Sequence, residues 1–301
     1  MQLGMVGLGR MGGNMTERLL RGGHRVVAFA KDQAAVRAAA DRGATGAASL
    51  QDLVKQLDAP RVVWLMVPSG SATEETIAAL DPLLSSGDIV IDGGNSKYTD
   101  SIRRAGQLGK RGVRFVDVGT SGGVWGLQEG YCLMIGGDAD VVKSLTPIFQ
   151  TLAPAADRGW AHVGPSGAGH FVKMIHNGIE YGMMQAYAEG FAILHKKSEL
   201  VVDVAGVAEL WRHGSVVRSW LLDMTTRALS DDPSLAKIAP YVGDSGEGRW
   251  TVAEAIDLDV AAPIITHALL ARLRSRDAES YSDRLLAAMR QQFGGHAVKS
   301  T

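Results

Sequence analysis

Five polar side chains recur at helical spacing in the stretch GHFVKMIHNGIEYGMMQAYAEGF, from Gly169 to Phe191. His176, Asn177, Glu180 and Tyr181 follow Lys173 by three, four, seven and eight residues. No helix breaker other than glycine interrupts the run, so the stretch predicts a helix. Such spacing ordinarily carries a buried apolar stripe. Buried polar groups need partners, so this face is read as the lining of a cavity. A solvated outer face accounts for Lys and Glu through ordinary helix pairs. It accounts less well for His176, Asn177 and Tyr181 beside them. Val172, Ile175, Ile179 and Met183 recur on the opposite side, so burial is expected on both sides. Lys173 and Glu180 lie two turns apart, about 10 Å along the axis, and could flank one small substrate. A desolvated lysine can act as a base near neutral pH, and a buried glutamate can act as an acid.

A second constellation opens the chain. Gly7, Gly9 and Gly12 form GLGRMG directly after an apolar run. Glycines at this spacing permit a tight strand-to-helix turn and let backbone amides approach a pyrophosphate. Within a βαβ unit the motif predicts a dinucleotide site that includes Leu8, Arg10 and Met11. An NAD site usually has an acid at the end of the second strand, for the ribose hydroxyls. Here that strand ends in FAKD: Ala30 stands at the acid's place, followed by Lys31 and Asp32. Without a carboxylate at Ala30 a 2′-phosphate meets less repulsion, and Lys31 can pair with it. Asp32 is read as the cap of the next helix. The pattern favours NADP over NAD.

The elements that must position these groups are legible from periodicity. QLGMVGLG, RVVAFA, RVVWLMV, GDIVIDGG and VRFVDVGT read as strands, with helical segments between them. YCLMIGG and the stretch around AADRGWAHVG read as final strands. This βαβα rhythm predicts a parallel sheet covered on both faces. From about residue 164 the strand signal fades into helices. The expected fold is therefore an α/β Rossmann-type dinucleotide-binding domain (1–163) followed by an all-helical substrate and oligomerisation domain (164–301). The long polar-faced helix is expected to join them, and small-molecule sites favour such junctions.

Composition narrows the functional classes. The chain has 301 residues, 46% of them hydrophobic, with a formal net charge of -1. That length supports two domains, and scattered basic residues offer no stripe for nucleic acid or a membrane surface. The one cysteine, Cys132, fits a reducing compartment, and its apolar surroundings predict a small buried hydrophobe. There is no signal-peptide pattern and no run long enough to span a bilayer. By elimination the compartment is expected to be the cytoplasm. The eight histidines lack zinc-site spacing, and no metal is expected.

GAGHFVKMIHNGIEY, DGGNSKYTD and GTSGGVWGLQEGYCLMIGG resemble motifs of the decarboxylating 6-phosphogluconate dehydrogenases of the pentose phosphate pathway, in their short form. The resemblance covers essentially the whole chain. It implies oxidative decarboxylation of 6-phosphogluconate to ribulose 5-phosphate and CO2 with reduction of NADP or NAD. It assigns Lys173 as the base that takes the C3 hydroxyl proton, and Glu180 as the acid that protonates C1. His176, Asn177 and Asn95 match substrate contacts, and Asn95 with Val67 and Pro68 also matches the cofactor's surroundings. Ser121, Gly122 and Gly123 match the loop at the substrate carboxylate; Tyr181 and Arg272 match phosphate ligands. RQQFGGH resembles a tail whose Arg and His, here Arg290 and His296, reach the phosphate in a neighbouring subunit, which implies a homodimer or homotetramer. DSGEGRWT departs from the long-form pattern. Ser245 and Glu247 replace phosphate-binding Lys and Thr, so that loop is given no phosphate role, while Arg249 remains open. The alternatives are another β-hydroxyacid dehydrogenase, such as one acting on 3-hydroxyisobutyrate, and a non-catalytic binding protein.

Overall fold

The computed structural model describes residues 1–294 and 297–299. The chain forms two compact units, Met1–His176 and Asn177–Thr301.

The first unit alternates strands and helices. β1 (Gln2–Val6), α1 (Arg10–Arg21), β2 (Arg25–Phe29), α2 (Gln33–Ala40) and the short β3 (Thr45–Gly46) are followed by α3 (Leu50–Lys55) and β4 (Val62–Leu65). α4 (Ser71–Leu80), β5 (Ile89–Asp92), α5 (Tyr98–Gly109), β6 (Arg114–Ser121) and α6 (Gly126–Glu129) come next. β7 (Cys132–Gly137), α7 (Ala139–Ser144), α8 (Thr146–Leu152) and β8 (Trp160–Gly164) complete the sheet.

The sheet has eight strands in the order β3-β2-β1-β4-β5-β6-β7-β8. β6 and β7 pair antiparallel, Val116 with Gly137 through Ser121 with Cys132, and every other pairing is parallel. This corrects the expectation of a wholly parallel sheet. The link from Ser121 to Cys132 holds only a short helical turn, too little for the crossover a parallel pair requires.

Alternation along the strands divides the core. Leu3, Met5, Val62, Trp64, Ile89 and Ile91 fall in one buried cluster, and Val6, Val63, Leu65, Val90 and Phe115 in another. Successive residues of one strand project to opposite faces, so strands buried on both sides read as continuous apolar runs. Chain order reverses between β1 and β4, and ligands of such sheets bind beyond the strand ends at this point.

From α9 (Ala168–Lys196) onward the chain is helical: α10 (Val204–Trp211), α11 (Trp220–Asp231), α12 (Glu247–Asp257), α13 (Pro263–Ser275) and α14 (Tyr281–Gly294). The division between the units falls inside α9. In the second unit Phe191, Ala208, Leu222 and Leu229 form one core, and Tyr181, Ala268 and Leu269 another. α10 and α11 are shorter than the apolar runs that announce them. Asp203 and Ser219 accept backbone hydrogen bonds at their N-termini, and this capping chemistry sets the start.

Candidate functional site

Gly7 leaves β1 with φ +97°, and a Cβ there would lie 2.5 Å from the Met66 carbonyl oxygen. Gly12, in the first turn of α1, lies so close that its Cβ would meet the Gly7 carbonyl oxygen at 2.0 Å. Only glycine fits these two places, and the result is a tight turn that brings the N-terminus of α1 to the end of β1. Nothing lies within 4 Å of a Cβ built at Gly9, the N-cap of α1, whose side chain offers no cap. The first-turn amides thus open onto free space, the arrangement that accepts a pyrophosphate.

That space is a cavity of about 850 Å³ lined by Gly7, Gly9, Arg10, Met11 and Gly12 on one side. Ala30, Lys31, Val67, Pro68 and Asn95 also border it, which brings together ten of the residues expected around a dinucleotide. Leu8 and Asp32 are not in the lining. Leu8 packs against the apolar clusters, and the Asp32 carboxylate accepts from the Ala34 amide at 2.9 Å as the cap of α2. Sequence reasoning missed a wall: Ala72, Glu75, Thr76 and Ala79 of α4 face the same cavity. Their helical spacing was visible, but nothing in it marked which face meets a ligand.

Elsewhere in the first unit Lys173 is held from two directions. Asp117, fully buried in β6, accepts from the Gly167 amide at 2.6 Å and the His170 amide at 2.8 Å. These are orphan donors of a helix start, and a carboxylate there is favoured by the helix dipole. Two residues along the strand, Gly119 lets α9 settle directly on the sheet: a Cβ there would meet Lys173 Cβ at 2.3 Å. Lys173 is 5% exposed, and its Nζ stands 3.3 Å from His176 Nδ1. His170, one turn before Lys173, is fixed through Nδ1 by Ser101 Oγ at 2.7 Å. Asp117 and Gly119 escaped the sequence reading because a strand pattern does not announce what docks on it.

Ser121 ends β6 opposite Cys132. Gly122 and Gly123 turn the chain there with φ +131° and +52°. Cys132 is exposed, not the buried hydrophobe expected. It is the first residue of β7, where the apolar pattern has just begun and the sheet does not yet cover it. Although the residue is exposed, neighbouring protein atoms partly desolvate the sulfur and push the thiol pKa up, opposed by the positive charge of Lys173.

In the second unit Tyr181 is 5% exposed. The Arg272 guanidinium lies over its ring, 3.4 Å from the centroid, and donates to the Gly243 carbonyl at 3.1 Å. The Tyr181 hydroxyl is 3.3 Å from Ser245 Oγ and accepts from the Ser245 amide at 3.4 Å. Tyr181 and Arg272 are thus brought together, with Ser245, which sequence reasoning had set aside. Arg249 is committed elsewhere: it donates through Nε to Asp244, which Arg276 also approaches at 3.7 Å. Burial alone would raise the Asp244 pKa, but the Gly246 amide and Arg249 outweigh it and hold the carboxyl low. Glu247, the first residue of α12, is buried.

Asn177 is buried, whereas His176 and Glu180 are half-buried. The expectation of burial on both sides of α9 is corrected: Val172, Ile179 and Met183 are 36%, 52% and 38% exposed. Periodicity separates the faces of a helix but does not say which of them the chain covers. Arg290 is an exposed residue of α14, and His296 lies outside the described residues. Among the described residues no helix is long and apolar enough to cross a membrane.

Comparison with known proteins gives this geometry a family. Residues 2–164 match the NAD binding domain of 6-phosphogluconate dehydrogenase, and residues 169–301 match the 6-phosphogluconate dehydrogenase C-terminal domain. YqeC of Bacillus subtilis is 42% identical over 299 residues, 99% of each chain. A chain of Haloferax volcanii named as an NAD(+)-dependent, decarboxylating 6-phosphogluconate dehydrogenase is 44% identical over 299 residues, 99% of this chain and 98% of that one. Among solved structures, Plasmodium falciparum 6-phosphogluconate dehydrogenase, described with NADP+ and with 6-phosphogluconate, superposes with TM-score 0.83 at 28% identity, covering 100% of this chain and 66% of that one. A glycine cradle at the start, a docked lysine helix in the middle and matches along the full length converge on one conclusion: the chain belongs to the 6-phosphogluconate dehydrogenase family.

Proposed function

We propose that the protein oxidises and decarboxylates 6-phosphogluconate to ribulose 5-phosphate and CO2, with reduction of a nicotinamide dinucleotide. The observation that carries this reading is the docked Lys173, buried on α9 with His176 at 3.3 Å, in a chain whose relatives of equal length include a named decarboxylating enzyme. The residues around the cavity beyond β1 fit the dinucleotide, because the Gly7–Gly12 turn leaves α1 uncapped and Gly9, with no side chain, leaves open the space where a pyrophosphate would lie. When bound, the nicotinamide supplies the hydride acceptor.

Lys173, as the neutral amine, takes the proton of the C3 hydroxyl as hydride departs from C3. The resulting ammonium then donates a hydrogen bond to the new C3 ketone oxygen. It thereby stabilises the electron pair left when the bond from C2 to the carboxylate breaks and CO2 leaves. The ammonium proton passes to the C3 oxygen as CO2 leaves and gives the enediol. Glu180 then delivers a proton to the carbon that lost the carboxylate, C1 of the product, and Lys173 takes back the hydroxyl proton as the ketone forms at C2 of the product. Ser121, Gly122 and Gly123 hold the carboxylate end. His176, Asn177 and Asn95 hold the hydroxyls. Tyr181 and Arg272 are assigned to the phosphate, and their mutual contact supports that assignment.

Ala30 and Lys31 at the cavity, with Asp32 engaged as a helix cap, support NADP as the preferred dinucleotide. The NAD(+)-dependent relative supports NAD as the second reading. The protein is further proposed to be a homodimer or homotetramer in which Arg290 and His296 complete a neighbour's phosphate site. Apolar residues left exposed in the second unit, among them Ile193, Leu210, Ile256, Ile264 and Leu270, support a subunit interface there. A functional division near Gly164 is supported by the two matched spans, and the protein is further proposed to act in the cytoplasm. The test is direct: purified protein with 6-phosphogluconate and either NADP or NAD, read by reduced-nicotinamide absorbance and CO2 release. Silence with both, in a folded protein, overturns the reading.

A further inference from the structure

The first unit contains an ion-pair network that the reaction does not use. Arg104, in the middle of α5, is fully buried, as is Asp92 at the end of β5. Arg104 Nη1 donates to Asp92 Oδ2 at 2.8 Å. Its other arm donates to Glu74 Oε1 of α4, from Nε at 3.0 Å and from Nη2 at 2.7 Å. Asp92 in turn organises the residues that follow it. Its Oδ1 accepts from the Gly94 amide at 3.1 Å, and its Oδ2 accepts from Ser96 Oγ at 2.8 Å. Gly93, Gly94 and Asn95 line the dinucleotide cavity from this loop, while Ala72, Glu75, Thr76 and Ala79 line it from α4. One planar guanidinium therefore bridges two walls of the same cavity.

Stability is a poor account of such an arrangement. Removing two charges from water often costs as much as their attraction returns, and an apolar pair of equal volume serves a core as well. A guanidinium, with five donors in a rigid fork, can instead fix the distance and angle between two acceptors on separate elements. Glu74 also receives a surface bond from Arg103. Burial alone would raise its pKa, but the bonds from Arg103 and Arg104 prevail and keep the carboxylate charged.

We propose that Arg104 is a positioning residue that sets the separation of α4 from the Gly93–Ser96 loop, and that the Arg104–Glu74 link tunes dinucleotide affinity. This rests on the cavity being the dinucleotide site. Glu74 is 39% exposed at its side chain, so Glu74→Gln should fold. It strips the charge from the bridge at the α4 end, leaving only a neutral amide oxygen as acceptor, and keeps Arg104 paired with Asp92; Glu74→Ala removes the acceptor altogether. Direct fluorescence titration with NADPH and with NADH needs no sugar acid, so failure of the substrate assignment would not obscure the result.

Glu74→Gln should weaken binding of the preferred dinucleotide about tenfold, the scale of one charge-assisted hydrogen bond. Where turnover is measured, the dinucleotide KM should rise alike while kcat stays within about twofold of wild type. Glu74→Asp should fall between the two, and Arg103→Gln, which removes only the surface bond, should match wild type. An unchanged affinity in folded Glu74→Ala, which keeps no acceptor for Arg104 at the α4 end, overturns the proposal. So does a loss shared equally by affinity and kcat with a lowered Tm, which marks a merely structural pair. An Arg103→Gln effect as large as that of Glu74→Gln overturns the route through Arg104. A wild-type protein that binds neither dinucleotide overturns both this inference and the reading of the cavity.

Discussion

Gly119 and Lys173 approach so closely that no side chain fits between them, since a Cβ at 119 would stand 2.3 Å from Lys173 Cβ. The contact fixes the depth at which α9 lies on β6, and therefore where the lysine begins its reach. Gly119→Ala should lower stability by about 1–3 kcal/mol through overpacking. It should also lower kcat disproportionately, because misplacing a catalytic group by about 1 Å can cost on the order of 100-fold. Thermal unfolding and steady-state kinetics on the same preparation separate the two effects. Wild-type kcat with a lowered Tm would mean that the contact serves packing alone.

Lys173→Ala should reduce kcat by about 10²- to 10⁴-fold, the range for loss of a positioned proton-transfer group. Dinucleotide binding should be unchanged, since Lys173 does not border that cavity. Near-normal turnover would remove the lysine from its proposed role.

Ala30→Asp should restore a ribose-binding carboxylate and repel a 2′-phosphate. The ratio of kcat/KM for NADP over NAD should fall by at least about tenfold, because juxtaposed like charges cost on the order of several kcal/mol. An unaltered ratio would show that the end of β2 does not read the ribose. The result is independent of which dinucleotide the wild type prefers.

Cys132 offers a pH-dependent probe of the neighbourhood of Lys173. Only the thiolate is alkylated, and the Cys132 pKa is raised by partial desolvation of the sulfur against the opposing charge of Lys173. Iodoacetamide should therefore label it more slowly at pH 7 than a free cysteine, and the rate should climb as pH rises through the elevated value. Lys173→Met removes the opposing charge and should slow labelling further. Labelling as fast as that of a free thiol at pH 7, or faster in Lys173→Met, would contradict the assigned environment.

Truncation before Arg290 should raise the KM for 6-phosphogluconate by about tenfold or more, the effect of losing a charge-assisted contact to phosphate, while the dinucleotide KM holds. An unaffected substrate KM would dismiss a shared site.

Much of this protein could be read from residue order alone. Short unbroken apolar runs in Val62–Leu65 and Ile89–Asp92 reveal strands because the side chains that project to either face of the sheet are all withdrawn from water. GLGRMG announces its turn because Gly7 needs a backbone conformation other residues resist, and Asp32 announces its helix because its carboxylate satisfies a local amide. All of these are local rules, satisfied within a few residues. The spacing of Lys173, His176, Asn177, Glu180 and Tyr181 displayed a polar face for the same reason.

Tertiary structure decided what meets what. Asp117 lies 50 residues from the Gly167 amide it receives, and Gly119 is an unremarkable strand glycine until α9 docks against it. Tyr181 meets Ser245 across 64 residues, and Arg104 reaches back 30 residues to Glu74 and 12 to Asp92. No short-range pattern encodes such pairs, because their energies depend on which elements the topology brings side by side. Even the sense of α9 was settled there: the polar side is the one buried, and Val172, Ile179 and Met183 are left exposed. Sequence spacing distinguishes the faces of a helix, and only packing determines which one is withdrawn from water.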